Sequence, residues 1–109
     1  MTWDVKYLEE AVEDLESLTS FNREMVLKAI KKTSQNPLPK SEGGYGNPLG
    51  NKATYNLTGL LKIKLKKAGI RVIYKLLRTD NAMLVIVIGI REDLEAYEVA
   101  SKRRKKNNI

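Results

Sequence analysis

Apolar and polar positions along this chain change period several times, and each change predicts a new element. From Thr2 to Tyr7 the residues alternate, placing Trp3, Val5 and Tyr7 on one side of a half-buried strand. At Leu8 the spacing becomes helical: Leu8, Ala11, Val12, Leu15 and Leu18 form one stripe, and Glu9, Glu10, Glu13, Asp14 and Glu16 form an opposite face that reads as plain solvent exposure. Thr19-Ser20 is a cap signal. A second helix then follows through Phe21, Met25, Val26, Ala29 and Ile30, with Glu24 and Lys28 as an i, i+4 pair, until Pro37 and Pro39 end it. The pair predicts a helical hairpin whose apolar stripes cover one face of a sheet.

Residues 36–58 hold all three prolines and four of the seven glycines, so a long loop without an extended regular element is expected there. Its segment Gly44-Tyr45-Gly46-Asn47-Pro48-Leu49-Gly50 matches neither glycine-rich phosphate-binding pattern, which argues against a nucleotide loop. Alternation returns afterwards in three predicted strands, Leu60 to Lys66, Gly69 to Arg78 and Ala82 to Arg91, joined by short turns as antiparallel hairpins. The first turn sets Leu65, Ile63 and Leu61 opposite Ile70, Val72 and Tyr74. A three-residue second turn would set Val72, Tyr74 and Leu76 opposite Ile90, Ile88 and Ile86. One face is then wholly apolar, with Tyr74 in the core, and the other carries Lys62, Lys64, Arg71, Lys75 and, at the strand end, Arg91.

Arg91 to Ala100 predicts a short helix, and Ser101 to Ile109, with Lys102-Arg103-Arg104-Lys105-Lys106, a basic flexible tail. The expected fold is α+β: a small antiparallel sheet of about four strands packed on an N-terminal helical hairpin, with a short C-terminal helix. Residues 1–100 would form a single domain and residues 101–109 the tail.

Composition narrows the chemistry. At 109 residues, one domain is expected, and no stretch is apolar for long enough to cross a membrane as a helix. The start, Met1-Thr2-Trp3-Asp4, lacks the basic flank and apolar run of a secretory leader, so a cytoplasmic protein is expected. There is neither cysteine nor histidine, which removes disulfides, thiolate chemistry, imidazole ligands and the Ser-His-Asp triad. Catalysis would have to use Lys, Arg, Tyr or carboxylates, and no cofactor or metal is implied.

The net charge of +7 is uneven: residues 43–79 contain eight basic residues and no acidic one. A polyanion fits such a region through phosphate neutralisation. Lys64 directly opposite Arg71 is also an unfavourable cross-strand pair, which an external anion would relieve. Phosphodiester cleavage suits this equipment, since Arg and Lys stabilise charge developing on the transition state while Lys or Tyr moves protons. Neither Lys nor Tyr has an ordinary pKa near neutrality, so proton transfer would require tuning by the surroundings. With the 2′-hydroxyl of RNA as nucleophile, neither a metal nor a nucleophilic side chain is required.

The segment Leu57-Thr58-Gly59-Leu60-Leu61-Lys62-Ile63-Lys64-Leu65-Lys66-Lys67-Ala68-Gly69-Ile70-Arg71-Val72-Ile73-Tyr74, followed by Val87-Ile88-Gly89-Ile90-Arg91-Glu92 and then Tyr97, resembles the RelE branch of the RelE/ParE toxin superfamily. The order of predicted elements from Trp3 to about Lys102 agrees. The resemblance implies the toxin of a type II toxin–antitoxin module, an endoribonuclease that cuts mRNA in the ribosomal A site beside 16S rRNA and is held inactive by a RelB-like antitoxin.

Carried over by position, Lys62, Arg71 and Arg91 would bind the scissile phosphate, Lys64 would be the general acid, and Tyr97 would orient or activate the 2′-hydroxyl or stack on a base. The base is left open among Lys62, Lys64 and Tyr97. Lys66, Lys67 and Lys75 would add RNA contacts. The chain departs from the pattern at Leu61, where relatives often have an aromatic residue, and at Asp93, where a second arginine can follow. A ParE-like toxin that inhibits gyrase and a noncatalytic RNA- or ribosome-binding module are the alternatives. The first predicts indifference to loss of Lys62 and Lys64, and the second salt-sensitive binding without cleavage.

Overall fold

The computed structural model describes residues 2–52, 55–90 and 92–109. Five strands form one mixed sheet: β1 (Asp4–Tyr7), β2 (Asn47–Lys52), β3 (Tyr55–Leu65), β4 (Ile70–Leu77) and β5 (Ala82–Ile90), in the spatial order β1-β5-β4-β3-β2. The helices are α1 (Glu9–Glu16), α2 (Ser20–Thr33) and α3 (Asp93–Lys106). The class is α+β, as expected. No helix among the described residues is long and apolar enough to cross a membrane.

The N-terminal elements follow their sequence signals. Val5 and Tyr7 of β1 turn inward, while the Thr19 hydroxyl caps α2 by accepting from the Asn22 backbone N–H at 3.2 Å. Glu24 and Lys28 form the expected ion pair at 3.4 Å. Ala11, Val26 and Ile30 pack on Leu61, Ile70, Val72, Tyr74, Met83, Val85 and Ile88, forming the core between the helical hairpin and the sheet. Phe21 departs from the predicted stripe: it is 72 % exposed at the start of α2.

The segment expected to be a loop contains a short 3-10 turn at Lys40–Glu42 and the whole of edge strand β2. Asn47 and Pro48 pair with Lys62 and Leu61, and Gly50 with Leu57 across an irregularity in register. An edge position tolerates Pro48, whose missing N–H need not face a neighbour. The close approach of this segment explains Gly46: a Cβ there would lie 2.4 Å from the Tyr74 hydroxyl and 2.5 Å from Leu61 Cδ2. Tyr74 is fully buried, as its alternation predicts, and donates to the Pro37 carbonyl at 2.7 Å.

The β3–β4 register agrees pair by pair with the sequence reading: Leu65, Ile63 and Leu61 face Ile70, Val72 and Tyr74. The β4–β5 register does not. The turn occupies four residues rather than three, with Asn81 left-handed at φ 50°, and Tyr74 and Leu76 pair with Val85 and Met83.

Two irregularities then displace β5. Ile73 faces Val87 while Tyr74 faces Val85, and Arg71 faces Ile90 while Val72 faces Ile88. The residue passed over at the second is Gly89, whose φ of 97° is the backbone that a bulge demands and that L side chains rarely adopt. Ile86, expected on the helical-hairpin side, is consequently turned to the opposite face.

That opposite face is not a bare cationic surface. Helix α3 lies on it, and Leu57, Leu60, Ile73, Ile86 and Val87 pack against Ala96, Tyr97 and Ala100 as a second core. The expected flexible tail is part of α3, which continues through Lys106. Asp14 is likewise not a simple solvent-facing acid: it accepts from the Ile88 backbone N–H at 3.0 Å and from both terminal nitrogens of Arg103.

Candidate active site

Three elements place charged side chains beside the uncovered end of this face. Strand alternation directs Lys62 from β3 and Arg71 from β4 to the α3 side, and α3 begins there with Asp93. Asp93 and Tyr97 are four residues apart and therefore occupy the same helix face.

The Lys62 ammonium donates to the Tyr97 hydroxyl at 3.0 Å and to Asp93 Oδ1 at 3.3 Å, and lies 5.5 Å from the Tyr97 ring centroid. Arg71 Nε donates to the same Asp93 oxygen, while its Nη1 donates to the Gly69 carbonyl at 2.9 Å. The Arg71 hydrogen bond above all, and more weakly the Lys62 charge, hold the Asp93 carboxyl below its ordinary pKa against the opposing effect of burial.

Lys62, Arg71 and Tyr97 thus form one constellation, as their sequence pattern suggested. Lys64 sits directly across from Arg71 and is exposed. Arg91 lies outside the described residues. Lys66 and Lys67 stand at the hairpin turn, away from the constellation. Lys75 is four residues from Arg71 along β4, about 13 Å at strand rise, and its ammonium donates to Ile109 O at 2.7 Å.

Asp93 is the member that residue reading missed as part of the site. It appeared only as a departure from a pattern, whereas the i, i+4 relation to Tyr97 was legible from numbering alone. The unfavourable Lys64–Arg71 pairing therefore has an internal counter-charge beside it, which revises the inference that only an external anion could relieve it. Among the described residues, no group of three or more carboxylates suited to a metal ion occurs.

The sequence and fold of this chain have counterparts among known proteins. An Escherichia coli protein described as RelE-like is 28 % identical over 106 residues, spanning 96 % of this chain and all of that protein. The free form of an E. coli RelE toxin variant superposes with a TM-score of 0.74 at 26 % identity, covering 94 % of this chain and 98 % of that one. In sequence and in fold the chain is similar to RelE toxins.

The same RelE variant bound to an antitoxin RelB peptide is also similar to this chain, with a TM-score of 0.69 at 25 % identity over 92 % of this chain and 95 % of that one. No family model matches the sequence. Structural likeness extends over both cores, so the elements that carry Lys62, Arg71 and Tyr97 fall within the shared fold.

Proposed function

We propose that this RelE-like toxin is an endoribonuclease that cleaves mRNA in the ribosomal A site, acts in the cytoplasm and is restrained by a RelB-like antitoxin. The observation that carries the reading is the convergence of Lys62, Arg71 and Tyr97 at one end of the sheet, with Lys62 bonded to the Tyr97 hydroxyl at 3.0 Å.

In this reading Lys62 and Arg71, with Arg91, neutralise the scissile phosphate and the charge that grows on it as the 2′-oxygen attacks. Lys62 donates to both Asp93 and Tyr97, which fixes its side chain beside the phosphate position. The Tyr97 oxygen accepts that bond, leaving the hydroxyl proton available to orient a substrate group or to be transferred. Lys64, exposed beside Arg71, would protonate the departing 5′-oxygen in this reading. The nucleophile belongs to the RNA, so the reaction needs no covalent enzyme intermediate and no metal.

In this reading the ribosome positions the strand, and an acidic antitoxin would cover the charged region; the antitoxin RelB peptide bound to a similar RelE variant supports an antitoxin partner. Primer extension on translated mRNA after induction tests the cleavage. New 5′ ends that disappear with Arg71→Ala and Arg91→Ala are expected. Absence of new ends, or ends indifferent to both changes, would overturn the reading. Inhibition of gyrase supercoiling without RNA cleavage would instead favour the ParE-like alternative.

A further inference from the structure

Asp93 stands between the two cations and solvent. The side chains of Lys62 and Arg71 are only 16 % and 10 % exposed, whereas the carboxylate on which both converge is 40 % exposed. One oxygen, Oδ1, takes both donors. It therefore occupies the kind of position that a non-bridging phosphate oxygen would need in order to meet the same two groups.

A phosphate oxygen that takes the Arg71 Nε–H must displace the carboxylate oxygen that already accepts from it, while Nη1 of the same guanidinium donates to the Gly69 carbonyl of its own hairpin. Asp93 is also in the first turn of α3, Glu92 before it makes no side-chain cap bond, and among the described residues Lys62 and Arg71 hold the carboxylate inward.

We infer that Asp93 is an internal counterion of the phosphate site, which an incoming RNA phosphate must displace from Lys62 and Arg71. The inference rests on the proposed ribonuclease reading for its substrate, but concerns binding rather than cleavage. Asp93 acts through the two cations and is a positioning residue. It holds them preassembled and partly neutralised when no RNA is present, and sets a threshold that only a better anion than a single carboxylate overcomes. A phosphodiester held in place by neighbouring contacts meets that condition, whereas a free monovalent anion does not.

The test is binding of a trinucleotide RNA whose central ribose carries a 2′-O-methyl group, so that it cannot be cleaved. Affinity is followed by isothermal titration for the full chain and for Asp93→Asn and Asp93→Glu. Asparagine removes the charge and keeps the shape, so D93N is expected to bind about three- to tenfold more tightly. D93E keeps the charge and is expected to remain within about twofold of the unaltered protein.

On translated mRNA, the same D93N change is expected to lower KM more than it changes kcat. Unchanged or weaker trinucleotide binding by D93N with an intact melting transition would overturn the inference. Equal tightening by D93E and D93N would do so too, because charge would not then be the cause. If no mRNA is cleaved by any form but D93N binds the trinucleotide more tightly, the counterion role stands and the ribonuclease reading fails. Cleavage by the unaltered protein with no binding difference at D93N has the opposite meaning.

Discussion

Asp14 of α1 and Arg103 of α3, 89 positions apart, form a two-pronged ion pair, with Nη1 2.6 Å from Oδ2 and Nη2 3.0 Å from Oδ1. The same groups also satisfy the backbone of β5: Asp14 accepts from Ile88 N–H and Arg103 donates to the Ile86 carbonyl at 2.9 Å. The pair therefore ties α3 to β5 beside the irregularities in that strand, and it connects helices on opposite faces of the sheet.

Removing one partner leaves the other charge only partly solvated. Arg103→Ala or Asp14→Ala is expected to destabilise the protein by about 2 kcal/mol, more than a typical surface pair. The double variant should be less destabilised than the sum of the singles. Chemical denaturation of all four forms checks both statements, and exact additivity would show that the two residues do not act together.

Tyr74 ties the β2 approach to the central strand through one buried bond. Tyr74→Phe deletes the donor and strands the Pro37 carbonyl, with an expected cost of about 1–2 kcal/mol. Gly46→Ala should cost at least as much, since its methyl would press into the Tyr74 hydroxyl and Leu61. Thermal melting measures both, and a neutral Gly46→Ala would contradict the packing described for this loop.

The constellation itself separates roles by chemistry. Arg71→Ala and Lys62→Ala are expected to reduce mRNA cleavage by about 100-fold or more through lost charge stabilisation, and Tyr97→Phe by about 100-fold if its hydroxyl moves or orients a proton. Lys28→Ala, far along α2 in an exposed pair, serves as the control. Single-turnover cleavage on programmed ribosomes distinguishes these losses, with circular dichroism verifying that each variant remains folded.

Acid should weaken the site in a defined direction. The folded-state pKa of Asp93 is depressed, chiefly by its hydrogen bond from Arg71, so its stabilising contribution is complete above the ordinary carboxylate range. It is lost as pH falls through the depressed folded value. Denaturation profiles should therefore show a difference between the unaltered protein and Asp93→Asn that is constant above about pH 5 and shrinks in more acidic solution. A difference that grew on acidification would contradict the sign.

Local chemistry alone specified the helical hairpin, the Thr19 cap and the β3–β4 register. Helical spacing, a capping hydroxyl and a short turn act within a few residues, so each could be read directly. That register in turn put Lys62, Lys64 and Arg71 on one face, and motif order added Tyr97. Strand β2 escaped because Asn47-Pro48-Leu49-Gly50 has weak strand propensity and holds an edge only by pairing with β3, as Asn47 does with Lys62 and Gly50 with Leu57.

Tertiary structure decided the remainder. The parallel pairing of β1 with β5 joins segments nearly eighty residues apart, and the bulge at Gly89 and the extra residue Ile86 reset which side chains of β5 face each core. Alternation assumes an uninterrupted strand, so it could not anticipate either shift. The C-terminal run of cations looked like a solvated tail because its anchors, Asp14 for Arg103 and Glu10 for Lys106, lie at the other end of the chain. Asp93 likewise became a counterion only when α3 docked on the sheet and brought its carboxylate to Lys62 and Arg71.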